Sequence, residues 1–362
     1  MSTFSPGPFT IDEAAIPRSL GEDHDRAFTG TMAVRNAVEV AAYGIPEVAV
    51  GAEEMLPHYL DENEPKRVLL ARVDGAIVGR AVLGRQLGDT EAGVGWLDVQ
   101  VLPDFQRRGI GRALSDAIEG LARELGLSRL ITYAVSADAP GDRLPAPTGF
   151  GSVPADNREV RFLLACGWTL EQVERGSRFA LPADPAALAA LRTAAEEHSR
   201  DYRMITWTGA TPVELLDDLA MLQTRMSTDA PTAGLDEPLD VWTAERFANK
   251  EALLLDAPMR LFTAAARHEP SGRLVGFTRL TAPNDVSRAV GQWDTIVLHE
   301  HRGHRLGMLL KIANLQSLQE NAPGHPSVLT WNAEENRPML AVNEAVGFVP
   351  IGYEGAWKKV LT

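Results

Sequence analysis

Two stretches decide the fold: GWLDVQVLPDFQRRGIGRAL, from Gly95 to Leu114, and GQWDTIVLHEHRGHRLGMLL, from Gly291 to Leu310. Laid together at a shift of 196 residues they need no gap, and Gly95, Asp98, Val101, Leu102, Gly111 and Leu114 each meet an identical residue. Average residue usage would give about one such match, so the chain reads as a duplicated unit. Upstream of each stretch lie two β-like runs around a turn: Arg67 to Val73, Asp74-Gly75, Ala76 to Leu83 in the first half, and Leu261 to Ala266, Ser271-Gly272, Arg273 to Leu280 in the second. Alternating and β-branched residues on either side of such punctuation predict hairpins. Downstream, Leu114, Ile118, Leu121 and Leu125 recur at helical spacing, as do Leu309, Ile312 and Leu315. A further strand follows, Leu130 to Val135 or Ser327 to Trp331, and then a short helix stopping at Cys166-Gly167 or Val346-Gly347.

A length of 362 residues suits two domains. Between the halves, Ala183 to Arg200 is alanine-rich and opens on Asp184-Pro185, which predicts a linker helix with a capped start. The expected boundary lies near residue 190, giving domains 1–190 and 191–362. Ser136 to Asp156 carries Pro140, Pro145, Pro147 and Pro154 among glycines and reads as a long loop of the kind often used for function.

Charge and composition narrow the function. With 49 acidic against 35 basic side chains the net charge is −14, which repels nucleic-acid phosphates and anionic membranes. Apolar content of 45% and charged content of 23% are ordinary for a globular protein and fit neither wholesale disorder nor a fibrous protein. No stretch approaches the ~20 apolar residues of a membrane span. Met1 to Arg26 lacks the basic and apolar regions of a secretory signal. A single cysteine, Cys166, precludes an internal disulfide and suits a cytoplasmic protein; its apolar helix face predicts burial.

Gln106-Arg107-Arg108-Gly109-Ile110-Gly111 falls where a strand gives way to a helix. Glycines let the chain turn tightly, so that successive amides and the helix N-terminus face one anion, and Arg107, Arg108 and Arg112 add positive charge. This predicts a phosphate cradle. The lysine and hydroxyl of a P-loop are missing, and so is the third glycine of a dinucleotide fingerprint.

Strand, Gln-x-x-Gly-x-Gly, then amphipathic helix resembles the pyrophosphate-binding motif of the GCN5-related N-acetyltransferases, the GNAT superfamily. The resemblance covers most of both halves, in a tandem layout similar to that of the mycothiol synthase group. It implies an α/β fold of two GNAT-like domains, each a mixed central sheet flanked by helices. It also implies acetyl-CoA as acyl donor, its diphosphate in the turn and its pantetheine arm along a splayed preceding strand. The coenzyme contacts so implied are Val101, Gln106, Arg107, Arg108, Gly109, Gly111 and Arg112 in the first half. In the second they are Val297, Arg302, Gly303, His304, Arg305, Gly307 and Met308, with Asn332 and Asn336 further on. Arg305 stands where the first glycine of the motif belongs, so backbone access is in question there. Asp156-Asn157 is the looser first-half counterpart of Asn336.

Acetyl transfer needs a neutral nitrogen, and an alkyl amine with a pKa near ~10.4 is short of that state at pH 7 by about 4–5 kcal/mol. Asp98 and Asp294, equivalent in the repeat, are the candidate bases, though strand alternation sets each opposite its valine unless a bulge intervenes. The tyrosine that many members use to reprotonate the thiolate is replaced by Leu163 and Asn343, with Tyr353 as a possible substitute. Asp229 is the candidate contact for a cationic acceptor. His299, His301 and His304 straddle the second turn with arginines between them, so no metal is expected. The expected function is acetyl-CoA-dependent N-acetylation of a small-molecule amine by direct attack, without nucleic acid or membrane partners and with oligomeric state open. The alternatives are a catalytically inactive coenzyme-binding or scaffold protein with degenerate domains and, disfavoured by the acidic charge, a transferase using aminoacyl-tRNA.

Overall fold

A computed structural model describes residues 9–21, 25–87 and 93–361. The reading of Met1 to Pro8 and of Glu22 to His24 as part of a non-secretory start lies outside the described residues. The chain forms two compact units: Met1–Glu174 with Thr232–Pro238 and Gly352–Thr362, and Arg175–Pro231 with Leu239–Ile351. Residue 190, the expected boundary, therefore lies within the second unit. Residues from the second half of the sequence also belong to the first unit.

The first unit contains β1 (Thr10–Ala14), α1 (Arg26–Tyr43), α2 (Ala52–Leu60), β2 (Lys66–Val73), β3 (Ala76–Gly84), β4 (Val94–Val101), α3 (Ile110–Glu124) and β5 (Arg129–Ser136). These are followed by β6 (Arg143–Pro145), β7 (Ser152–Pro154), α4 (Arg158–Ala165) and the start of β8 (Thr169–Ala180). The second unit continues with the rest of β8, then α5 (Pro185–Glu196), β9 (Tyr202–Thr208), α6 (Leu216–Asp229), α7 (Ala244–Leu255), β10 (Met259–His268) and β11 (Leu274–Pro283). It ends with β12 (Val290–Val297), α8 (Leu306–Asn321), β13 (Ser327–Ala333), α9 (Arg337–Val346) and the first residues of β14 (Val349–Val360).

In the first unit the sheet order is β1-β2-β3-β4-β5-β14-β8, antiparallel from β1 to β4 and parallel between β4 and β5. In the second it is β9-β10-β11-β12-β13-β8, antiparallel from β9 to β12 and parallel between β12 and β13, again the strand before the turn and the strand after the helix. The strand beside β5 is thus β14, and the strand beside β13 is β8. Each half of the sequence supplies a closing strand to the unit built mainly from the other.

Strand alternation sorts the core into two layers. Val68 and Leu70 of β2 pack with Phe28 and Met32 of α1 and with Leu56 and Tyr59 of α2. Leu69 and Ala71 pack on the opposite face with Ile110, Leu114 and Ile118 of α3. Those three helix residues are four apart and at most 1% exposed, each contributing about 1.5–3 kcal/mol by burial. In the second unit Phe262 and Leu280 meet Leu309, Ile312 and Leu315 of α8, while Phe277 and Ile296 meet Leu219 and Leu222 of α6 and Phe247 of α7.

The expected hairpins and helices stand close to their predicted limits, and α5 is capped by Asp184, whose carboxylate accepts from the Ala186 amide at 2.9 Å. The segment from Ser136 to Asp156 is not a plain loop. Its β6 and β7 pair antiparallel, Leu144 opposite Val153, and Val153 is fully buried. Apolar residues too few to show a period anchor it to the core.

Candidate active site

Both units place the same three parts together: a pair of parting strands, a left-handed turn and a helix N-terminus. Strands β4 and β5 pair only at Val94, Gly95 and Trp96, opposite Arg129, Leu130 and Ile131. Beyond those rungs β4 runs on to Val101 and β5 to Ser136 without each other. In the second unit β12 and β13 pair only at Val290 and Gly291. The backbone of β4 after Trp96, and of β12 after Gly291, therefore faces an opening on one side, its polar groups available to an extended ligand. Val101 and Val297, expected at the coenzyme, end the two strands.

At the turns, Arg107 and Gly109 have φ of +63° and +83°, and Gly303 and Arg305 have φ of +87° and +58°. The left-handed positions coincide at the shift of 196, with glycine and arginine exchanged between them. Arg305 keeps the backbone path that glycine takes in the first copy, at a cost of about 1–2 kcal/mol. Among the described residues the amides from Arg107 to Arg112 and from Gly303 to Gly307 find no backbone or side-chain acceptor, while the next ones, Ala113 and Met308, bond back to Gly109 and Arg305. Five or six free amides at a helix N-terminus form a concave anion site.

The side chains divide into those that hold the turn and those left to face a ligand. Gln106 Nε2 donates to the Val101 carbonyl at 3.0 Å, and Arg302 Nε donates to the Val297 carbonyl at 3.1 Å. Residues of different chemistry thus tie the turn back to the last residue of its strand in the same way. Arg112 reaches toward Cys166 and the Ala165 carbonyl, at 3.1 and 3.3 Å, rather than into the turn. Arg108 donates to the Asp104 carbonyl and lies 5.1 Å from the Phe105 ring centroid. Arg107 is exposed. Met308, expected at the coenzyme, is 6% exposed in the core of the second unit, because the helix turns that face inward.

Three further expectations meet a different structure. Asp229 is the last residue of α6 and pairs with Arg302 at 3.3 Å and Arg225 at 3.2 Å, so its carboxylate steadies the second turn. Asn336 caps α9, accepting from the Met339 amide at 3.4 Å. Asn332 accepts from Asn343, which occupies the place of the missing tyrosine, at 2.7 Å. Tyr353 packs on the core of the first unit, and Cys166 is buried with its thiol pushed up chiefly by burial. Among the described residues no three His, Cys, Asp or Glu side chains are grouped to hold a metal ion, and no helix is long and apolar enough to cross a membrane.

The two candidate bases differ. Asp98 is half exposed and stands 3.5 Å from Arg80, a buried guanidinium that also bonds Gln100 and Tyr59. Asp294 lies where β12 bulges: Thr278 faces Thr295 and Leu280 faces Gln292, leaving Trp293 and Asp294 against one residue. Burial pushes the Asp294 carboxyl above the usual carboxylate range, with Arg279 and Gln223 pulling it down. Arg279 is itself buried and bonded to Glu251, which also accepts from Thr211.

A group with no sequence signature gathers on the α1 face of the first unit. Glu354 of β14 accepts from the Tyr43 hydroxyl. Burial, helped by Glu39 and Glu174, pushes its carboxyl up to about 8. Burial also raises Glu39, near Asp98 and Arg80, and Glu237, which accepts from Tyr133 at 2.8 Å. These carboxylates are recessed in protein yet not fully buried. They come from α1, β4, β8, β14 and Thr232–Pro238, elements too far apart in sequence to form a motif.

Residues 33–144 match the family model described as the Acetyltransferase (GNAT) family, in the unit that carries the first turn. Over that stretch the chain is similar to the GNAT family. A tandem GNAT protein from the clavulanic acid biosynthesis pathway is similar over 97% of this chain and 98% of its own, at 24% identity and a TM-score of 0.70. A GCN5-related N-acetyltransferase from Sphaerobacter thermophilus is similar over 98% of this chain and 96% of its own, at 16% identity and a TM-score of 0.62. A GCN5-related glucosamine N-acetyltransferase region of a fungal multi-domain GH3 β-N-acetylglucosaminidase has a TM-score of 0.59 at 17% identity, over 98% of this chain and 38% of that one. No curated protein matches by sequence. At these identities the solved structures bear on the fold, and they extend the tandem GNAT architecture over nearly the full chain. The residues suit acetyl-CoA: free amides for a diphosphate and an open strand edge for an extended amide-bearing arm.

Proposed function

We propose that this protein is a GNAT acetyltransferase that moves the acetyl group of acetyl-CoA to a small-molecule amine that arrives as its ammonium form. The reading rests on the twin turns of free amides set beside parting strands. Acetyl-CoA supplies a thioester whose acetyl carbon is open to a nitrogen lone pair. The protein's part is to hold the donor along the open strand edge, attract the cation and remove its proton. In the first unit Glu39, Asp98, Glu174 and Glu237 set a field that favours a cation, while Glu354 keeps its proton near neutral pH. In the second, Asp294 is the better proton acceptor of the repeat-related pair, since burial makes it more basic than an exposed carboxylate. Asp98, held by Arg80, suits attraction instead. Gln106 and Arg302 keep each turn in register with its strand.

The test is release of free coenzyme thiol from acetyl-CoA in the presence of small amines, polyamines, amino sugars and peptides with free N-termini. Amine-dependent release is expected. Saturable coenzyme binding with no release for any of these would overturn transfer to an amine and favour a coenzyme-binding protein.

A further inference from the structure

Beside the second turn stands a group of rings, one of them His304 of the turn itself. Tyr202 opens β9 and pairs in register with His268 at the end of β10. His301 precedes the turn and His304 lies within it. The Tyr202 ring centroid is 5.2 Å from that of His268, 5.7 Å from that of His301 and 5.1 Å from that of His304, and His268 and His301 are 4.8 Å apart. Each imidazole is held by Nδ1: His301 to the Tyr202 hydroxyl at 3.0 Å, His268 to Ser271 at 2.9 Å, His304 to the His198 carbonyl at 3.1 Å. Among the described residues the three Nε2 atoms have no partner. His304 is exposed and the other rings are partly so.

From this geometry we infer that Tyr202, His268, His301 and His304 form the platform on which the purine of the coenzyme's nucleotide end stacks; this rests on the reading of Gly303–Gly307 as the diphosphate turn. The rings are fixed in orientation before a ligand arrives, so little freedom is lost on stacking. Their Nε2 atoms add hydrogen-bonding capacity for a heterocycle edge. Burial, with His268 and His304 nearby, lowers the His301 pKa and favours the neutral ring that stacks well. In the first unit the positions of His301 and His304 hold Phe105 and Arg108, one ring and one guanidinium. The platform is therefore a property of the second turn.

Nuclear magnetic resonance of the full chain separates the two readings, with histidine rings and backbone amides labelled and two ligands compared: acetyl-CoA and S-acetyl-4′-phosphopantetheine, which lacks the nucleotide. With acetyl-CoA the amides of Gly303 to Gly307 and the rings of His268, His301 and His304 are expected to shift together. With the shorter ligand the rings are expected to stay in place. Tyr202→Ala should weaken acetyl-CoA binding at this turn about tenfold and leave the shorter ligand unaffected. Amides that move while the rings do not would overturn the purine platform and leave the turn standing. If acetyl-CoA moved neither, the platform and the diphosphate reading would both fall.

Discussion

Replacing Glu354 with glutamine separates the cost of its proton from the value of its hydrogen bond. Glutamine keeps an oxygen for the Tyr43 hydroxyl and cannot ionise. In the unfolded chain this carboxyl releases its proton near pH 4.5, whereas in the fold burial and the neighbouring Glu39 hold it to about 8. A carboxyl raised on folding contributes stability that is fully present below the unfolded value and is lost as pH rises through the folded one. At pH 7 the native state still carries a proton that the unfolded chain has given up. At ~1.4 kcal/mol for each pH unit above 4.5, this weighs against the fold by about 3 kcal/mol. Glu354→Gln should therefore be more stable than the parent at pH 7 by about that amount, or about 6–12 °C in Tm for a unit of this size. The gain should shrink toward zero as pH falls to 4.5. Thermal melts of both proteins from pH 4.5 to 8 provide the measurement. A gain that did not vary with pH, or a loss at pH 7, would refute the claim that Glu354 is held protonated.

Glu251→Ala strands the buried Arg279 and should cost about 3–5 kcal/mol; a urea midpoint near that of the parent would count against it. Gly109→Ala has open space for its methyl but must keep φ near +83°, so a loss of about 1–2 kcal/mol is expected, again by urea unfolding, and no loss would mean the turn relaxes. Asp294→Asn should lower kcat about 10²–10⁴-fold with the KM for acetyl-CoA unchanged, and an unaltered kcat would remove it as the base. Gln106→Ala or Arg302→Ala should raise the KM for acetyl-CoA about tenfold at most, with kcat held; a coenzyme KM unmoved in both would show the tie to be dispensable.

What the sequence makes legible is local. The hairpins at Asp74-Gly75 and Ser271-Gly272, the helix from Ile110 and the turn before it are each written within a few residues, by alternation, helical spacing and glycine. The identity of strand partners is not legible, because a strand's period says which face is buried and nothing about which strand lies beside it. Sequence alone therefore assigns β14 to its own half, and the Glu354 recess, assembled from distant segments, leaves no spacing to find. Gln106 and Arg302 sit in the expected turn and brace it through the Val101 and Val297 carbonyls, a role with no sequence signature, since a side chain that satisfies a nearby carbonyl looks in sequence like one that faces a phosphate. That Arg305 keeps the left-handed path of a glycine is a matter of backbone angle, which the sequence does not carry.

The strand order of the first unit also bears on how the protein comes into being. Since β14 stands between β5 and β8 there, the first unit emerges from the ribosome with a gap in its sheet that stays open until residue 360 has been translated. The nascent chain must shelter two unpaired strand edges while the whole second repeat is made. Cutting the gene at the midpoint would yield two incomplete proteins, so the duplicated halves, once joined this way, are bound to persist together.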